Sequence, residues 1–232
     1  VLPAFSFFDI RPALAAGRDR ELAIQDKVNH FHEILGMVMG WEQYEQAFVA
    51  KGILSYLIKA LFAEEYGSDA FGLDDLFDAA IEMQQERTVP MVSDRNWDQD
   101  LGESLTRHFS KNEQQFQLSM DAVLNRIDKL KEDAYLYRVF SHVPEWDDER
   151  EAYTTAHFDF SEFLEEDVVL LFDFGDLRPN AQKAISLVLL SKLWDSVQAR
   201  RRDGRRRYEK MVNLVIEEAA AIASTELVYE QL

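Results

Sequence analysis

Apolar positions along the chain change period three times. Phe5-Ser6-Phe7-Phe8-Asp9-Ile10 is a short aromatic run stopped by Arg11-Pro12. It predicts a buried strand ending near Asp9. From about Asp19 the spacing becomes three and four. Leu22, Val28, Phe31, Ile34, Leu35, Val38 and Met39 share one face of an amphipathic helix that ends around Gly40. A second helix is predicted from about Trp41 to Tyr66, with Tyr44, Phe48, Ile53, Leu54, Leu57, Ile58 and Leu61 on its faces and Gly67-Ser68 after it. A third, shorter helix starts after Leu73 and carries Leu76, Phe77, Ala80 and Ile81.

Residues 87–103 hold Pro90, Asp94, Asn96, Asp98, Asp100 and Gly102, which predicts loop. Ser110-Lys111-Asn112-Glu113 is a capping-box sequence. Beyond it Phe116, Met120, Val123, Leu124, Ile127 and Leu130 keep helical spacing to about Tyr137. Residues 142–156, with Pro144-Glu145-Trp146-Asp147-Asp148-Glu149, form an acidic loop.

The last third differs. Val168-Val169-Leu170-Leu171-Phe172, ending in Asp173-Phe174-Gly175, predicts a fully buried strand of the parallel kind. Ala181 to Val197 is a strong helix with Ile185, Val188, Leu189, Leu193 and Trp194 toward a core. After an arginine-rich loop, Met211-Val212-Asn213-Leu214-Val215-Ile216 is a second buried strand running into Glu217-Glu218-Ala219. Strand, helix, strand in this order predicts a βαβ crossover. The fold class is mainly α with an α/β part.

Composition narrows the chemistry. The 232 residues include 43 Asp+Glu, 25 Lys+Arg and no cysteine, for a net charge of −18. The absence of cysteine removes thiolate zinc sites, iron–sulfur clusters, cysteine nucleophiles and disulfides. With 47% hydrophobic residues the chain is no disordered acidic tail. Its longest apolar runs have five residues against the roughly 20 of a membrane span, so no direct span is expected, and a cytoplasmic location. The first residues, Val1-Leu2-Pro3-Ala4, lack a charged leader. The chain reads as a piece of something longer. Lysine is scarce beside arginine, 9 against 16, and carboxylates are many. That balance suggests adaptation to high salt, where screening removes much self-repulsion. An ordinary acidic protein is the plainer alternative.

Leu214-Val215-Ile216-Glu217-Glu218-Ala219 is the sharpest local signal. Parallel strands aim their C-terminal ends at the ligand crevice of an α/β sheet. An acid there holds magnesium and its neighbour polarises the attacking water. The plainer reading is a core strand reaching solvent. Together with Phe7-Phe8-Asp9-Ile10-Arg11, Val168 to Asp173, Ala181-Gln182 and Leu187-Val188-Leu189-Leu190-Ser191, this block resembles the HerA/FtsK superfamily of P-loop ATPases. The likeness is closest to archaeal type IV secretion and conjugation ATPases.

That resemblance implies residues 1–12 as the first strand of the NTPase sheet, 13–155 as an all-helical insertion, and 156–232 as the βαβ half of the P-loop fold. The insertion would thus be attached to a partial parallel sheet. It implies an ATP-driven motor moving DNA or protein, with ATP and Mg as cofactors of the complete protein. A homo-oligomeric ring, DNA and membrane-associated machinery are the implied partners. Glu217 matches the magnesium acid, usually Asp in the family, and Glu218 the general base. No G-x-x-x-x-G-K-[ST] occurs: Gly36, Gly40, Gly67, Gly72 and Gly204 lack the following Lys-Ser/Thr. These residues alone are therefore expected not to turn over ATP. The rival function is a helical interaction module without nucleotide chemistry, and a third is an acidic mimic of nucleic acid.

Asp173 has two readings, a group at the nucleotide crevice or a cap for the helix after Pro179. Arg200, Arg201, Arg202, Arg205, Arg206 and Arg207 give residues 200–210 a local charge of +5, leaving −23 elsewhere. They are candidates for DNA phosphate contact, or for pairing with acids. His30 and His32, two apart on a helix, cannot share a metal. Arg126 is a candidate for an adjacent subunit's phosphate or a surface ion pair.

Overall fold

The computed structural model describes residues 5–45, 48–63, 68–89, 96–110, 112–147, 149, 152–153, 158–202 and 211–217. Its longest helices begin where side chains can replace missing backbone partners. Asp19 accepts from the Leu22 amide and opens α2, Arg20–Met39. Gly40, at φ +89, ends that helix in a conformation that costs glycine little, and α3, Trp41–Glu45, turns back against α2. Then come α4, Phe48–Leu61, and α5, Leu73–Glu86.

The structure corrects several boundaries. The helix expected from Trp41 to Tyr66 is helical over Trp41–Glu45 and Phe48–Leu61, residues 46–47 lying outside the described residues, and it ends at Leu61. The loop expected over 87–103 is helical from Asn96, where α6, Asn96–Ser110, begins. Ser110 is still within α6, and the cap of α7, Glu113–Lys131, is Asn112, which accepts from the Gln115 amide. The stretch expected to continue to Tyr137 stops at Lys131. Asp133 then caps a separate α8, Ala134–Ser141, through Tyr135 and Leu136 amides.

The expected first strand is present as β1, Phe8–Asp9, after which Arg11–Ala15 forms α1. Its neighbour is β2, Ala70–Phe71, in antiparallel register, Phe8 opposite Phe71. Hence the 13–155 block is not all helical. The acidic loop also holds a small hairpin, β3, Trp146–Asp147, against β4, Ala152–Tyr153. A 3-10 turn, Phe160–Glu162, precedes the last helix, α9, Pro179–Arg202.

One apolar core binds these pieces, and the architecture is mainly helical. Phe8 stacks on Phe71 with ring centroids 4.6 Å apart, and Phe7 meets Phe140 of α8 at 4.7 Å. α7 packs against α2, α4, α5, α6 and α8, burying Phe116, Met120, Val123, Ile127 and Leu130. α9 lies on α1, α2, α8 and the 3-10 turn through Ala181, Ala184, Ile185 and Val188.

The two predicted buried strands flanking α9 are not strands here. Residues 168–174 belong to no ladder, and neither do 211–216, so no βαβ crossover forms among the described residues. The first segment still alternates as a strand would. Phe172 and Phe174 lie partly buried, Phe172 edge-on to Phe158 at 5.6 Å, whereas Val169 is 94% and Leu171 88% exposed. A strand is defined by its neighbours as much as by its residues, and no described strand pairs with these backbones.

Candidate functional site

Glu217 follows residues 211–216 with its side chain exposed and, among the described residues, has no hydrogen bond or ion pair. Glu218 lies outside the described residues. Asp173 is exposed, and its Oδ1 accepts from the Gly175 amide at 2.9 Å. It closes a local turn and does not cap α9, which corrects one reading of it. Nothing bonds Asp173 to Glu217. Arg200, Arg201 and Arg202 are helical, within α9, so the basic stretch begins as helix; Arg205, Arg206 and Arg207 lie outside the described residues. Arg200 lies 3.4 Å from Glu165 and donates to the Leu164 carbonyl.

These residues fit a magnesium nucleotide only in part. Glu217 is an available carboxylate at an apolar segment's end. Among the described residues, however, no three His, Asp or Glu side chains are placed to hold a metal. No glycine-rich cradle occurs in the 232 residues. No catalytic step follows from this geometry alone.

The polar groups that do converge lie where β1 and α2 meet α9. Asp9 ends β1 at the core's edge, held bidentately by Arg11, with Nε–Oδ1 at 2.9 Å and Nη2–Oδ2 at 2.8 Å. Arg11 also donates to the Pro144 carbonyl. Burial alone would raise the Asp9 pKa; the Arg11 bonds and the nearby charges of Lys192 and Arg11 hold it below the usual range. Lys27 of α2, buried, lies 3.8 Å from Asp195 of α9, and Arg18 bridges Asp26 and Asp195. Lys192 is driven down to about 8 by burial first and by Lys27 second, against the pull of Asp9, Asp195 and Asp159.

In the same layer Ser191 of α9 is hydrogen-bonded to Nδ1 of His30 on α2 at 3.1 Å. Burial, then the Lys27 charge, pushes His30 down to about 3, with Asp195 opposing. His30 and Ser191 line a recess, with Phe7, Glu33 and Leu187, that has room for about one water. These groups tie α9 to the helical block by charge as well as by apolar contact. They show in the sequence only as polar residues interrupting apolar stripes: Lys27 and His30 among Ile24, Val28 and Phe31, and Ser191, Lys192 and Asp195 beside Val188.

His32 and Arg126 belong to a second junction. His32 is bonded to Tyr44 of α3 and to Ser55 of α4. Arg126 of α7, expected at the surface, is only 5% exposed, its guanidinium 5.8 Å from the Tyr44 ring centroid. The expectation of a surface ion pair there is overturned by burial. No described helix is long and apolar enough to cross a membrane. Scans against family models, curated proteins and solved structures each found no match.

Proposed function

We propose that this chain is part of an ATP-driven motor of the HerA/FtsK and type IV secretion kind, moving DNA or protein. It contributes a helical insertion and the magnesium-strand half of a nucleotide fold. One observation carries the reading. The two apolar segments flanking α9, 168–172 and 211–216, each run into acids and leave large apolar side chains in the open, Val169, Leu171 and Val215 almost fully exposed. Residues this apolar at strand spacing are suited to the interior of a parallel sheet. The phosphate-binding loop and the remaining strands belong to the rest of that assembly.

In this reading Glu217 holds Mg and Glu218 orients the water that attacks ATP, while Asp173 ends the neighbouring strand at the same crevice. Arg200, Arg201, Arg202, Arg205, Arg206 and Arg207 face DNA phosphates in a homo-oligomeric ring. The partial sheet and the insertion are then functionally coupled through the Lys27–Asp195 and His30–Ser191 contacts.

The test uses the complete reading frame that encodes these residues. Glu218→Gln should abolish magnesium-dependent ATP turnover while nucleotide binding persists. Turnover equal to wild type removes Glu218 from the mechanism. A reading frame with no phosphate-binding loop and no nucleotide binding favours instead the helical interaction module.

A further inference from the structure

The arginine end of α9 meets acids of its own chain. Residues 162–167 carry Glu162, Glu165, Glu166 and Asp167 and no cation, and all four carboxylates are exposed. Their backbone has a defined shape. The Phe163 and Leu164 amides both donate to the Phe160 carbonyl, and the Glu166 amide donates to that of Phe163. Phe160 is buried with its ring 4.9 Å from Phe158, and Phe163 stacks on Phe158 at 5.4 Å. The 3-10 turn in turn packs on α9, so these acids are presented to the helix from a fixed base.

Arg200 is held at this turn. Its Nε lies 3.4 Å from Oε1 of Glu165, and its Nη1 donates to the Leu164 carbonyl at 3.4 Å. Carboxylate and carbonyl thereby take guanidinium donors that phosphate oxygens use when arginine grips a nucleic-acid backbone. The Arg200 side chain is 13% exposed and that of Glu165 42%. The first arginine of the basic stretch is thus largely covered within its own chain.

The strengths favour exchange. Charge-assisted bonds run to about 2.7–2.9 Å, so contacts at 3.4 Å are weak ones. A pair with one partner this exposed is worth little, and salt screens it further. Duplex DNA offers several phosphates at once and releases counterions as each is neutralised. It can displace a single glutamate, and the glutamate still lowers its affinity.

We propose that residues 162–167 form an autoinhibitory latch on the arginine end of α9, with Glu165 occupying Arg200 in place of phosphate until duplex DNA displaces it. The latch rests on the reading of this stretch as the DNA-facing one, and adds that Arg200 is contested between the turn and the duplex.

The experiment measures binding of a short fluorescent DNA duplex by anisotropy, at fixed salt and without nucleotide, to the protein that the complete reading frame encodes. Glu165→Gln keeps the side-chain length and removes the charge. It should tighten binding roughly three- to fivefold, the scale of one partly exposed ion pair. Glu166, which makes no ion pair among the described residues, is the control: Glu166→Gln removes the same charge one residue on and should gain clearly less. Arg200→Gln should cost wild type less than it costs Glu165→Gln, so that the double variant loses the gain. Equal gains in Glu165→Gln and Glu166→Gln overturn the latch, because net charge alone would then account for them. So does a Glu165→Gln gain that survives Arg200→Gln, or a Glu165→Gln protein that binds as wild type does. Duplex binding by wild type in those cases leaves the DNA-facing reading standing. A duplex bound by none of the variants nor by wild type overturns both.

Discussion

The Tyr44 hydroxyl donates to Nδ1 of His32, and two further bonds fix why it must. The Ser55 hydroxyl gives its single proton to the Lys51 carbonyl at 2.9 Å, so at its 2.6 Å contact with His32 it accepts from Nε2–H. Burial keeps the ring neutral, so with its proton on Nε2 it leaves Nδ1 to accept. Tyr44→Phe keeps the buried ring and removes the hydroxyl that donates to His32. The orphaned nitrogen should cost about 1–3 kcal/mol. Urea denaturation checks it; a loss below about 0.5 kcal/mol would show that Nδ1 finds another donor.

Two neutral histidines at helix junctions, His30 half-buried and His32 buried, make stability depend on pH. His30 and His32 sit at about 3 in the folded protein against 6.5 when unfolded. Between those values the unfolded chain binds more protons, so stability is complete above pH 6.5 and is lost as pH falls toward 3. Each contributes a slope of at most about 1.4 kcal/mol per pH unit, together about 2.7. Unfolding free energies measured from pH 6.5 to 4.5 should show this decline, and His30→Gln with His32→Gln should flatten it. A decline unchanged in the double variant refutes the assignment.

Gly72 stands at the start of α5 directly beneath the end of α8. A Cβ built there falls 2.9 Å from the Ser141 carbonyl oxygen, a backbone atom that cannot swing aside. Its amide also donates to Asp75 at 2.7 Å, which fixes the entry to α5. Gly72→Ala should therefore destabilise by about 1–3 kcal/mol, the range of overpacking in a tight core. Thermal unfolding is sufficient to read it, and an unchanged Tm would show that α8 yields.

Most helices were legible because their signals are local. Asp19 before an apolar period announced α2, and Leu73 and Ala181 lay close to the starts of α5 and α9. α6 is hidden in the sequence because Asn96, Asp98, Asp100 and Gly102 have the composition of a loop. β2 was invisible because two residues have no period; they are a strand only because Phe71 meets Phe8 across the chain. The polar layer joining His30 to Ser191, and the burial of Arg126, depend on contacts between distant segments. A residue's pattern shows which face it occupies, not which residue lies opposite.

The acidic surface bears on salt dependence. With −18 overall, carboxylate repulsion opposes the compact state at low ionic strength, and screening lengths fall from about 10 Å at 0.1 M to about 3 Å at 1 M. Tm should rise as KCl goes from 0.1 M to about 1 M. A flat response would remove the salt-adaptation reading.

The exposed segment beside α9 separates the motor from the interaction module most directly. Val169 and Leu171 point away from the body while Phe172 packs near Phe158 and Phe160. In these 232 residues, Val169→Ser with Leu171→Ser should change stability by no more than about 0.5 kcal/mol, as expected at solvated positions. In the complete protein, a sheet covering both side chains turns the same pair into a core deletion costing several kcal/mol. Phe172→Ala should be destabilising in both, since its ring already has neighbours. Equal tolerance of the Val169 and Leu171 changes in the short and complete chains would mean that no sheet covers this face, and the nucleotide half would have no place to form.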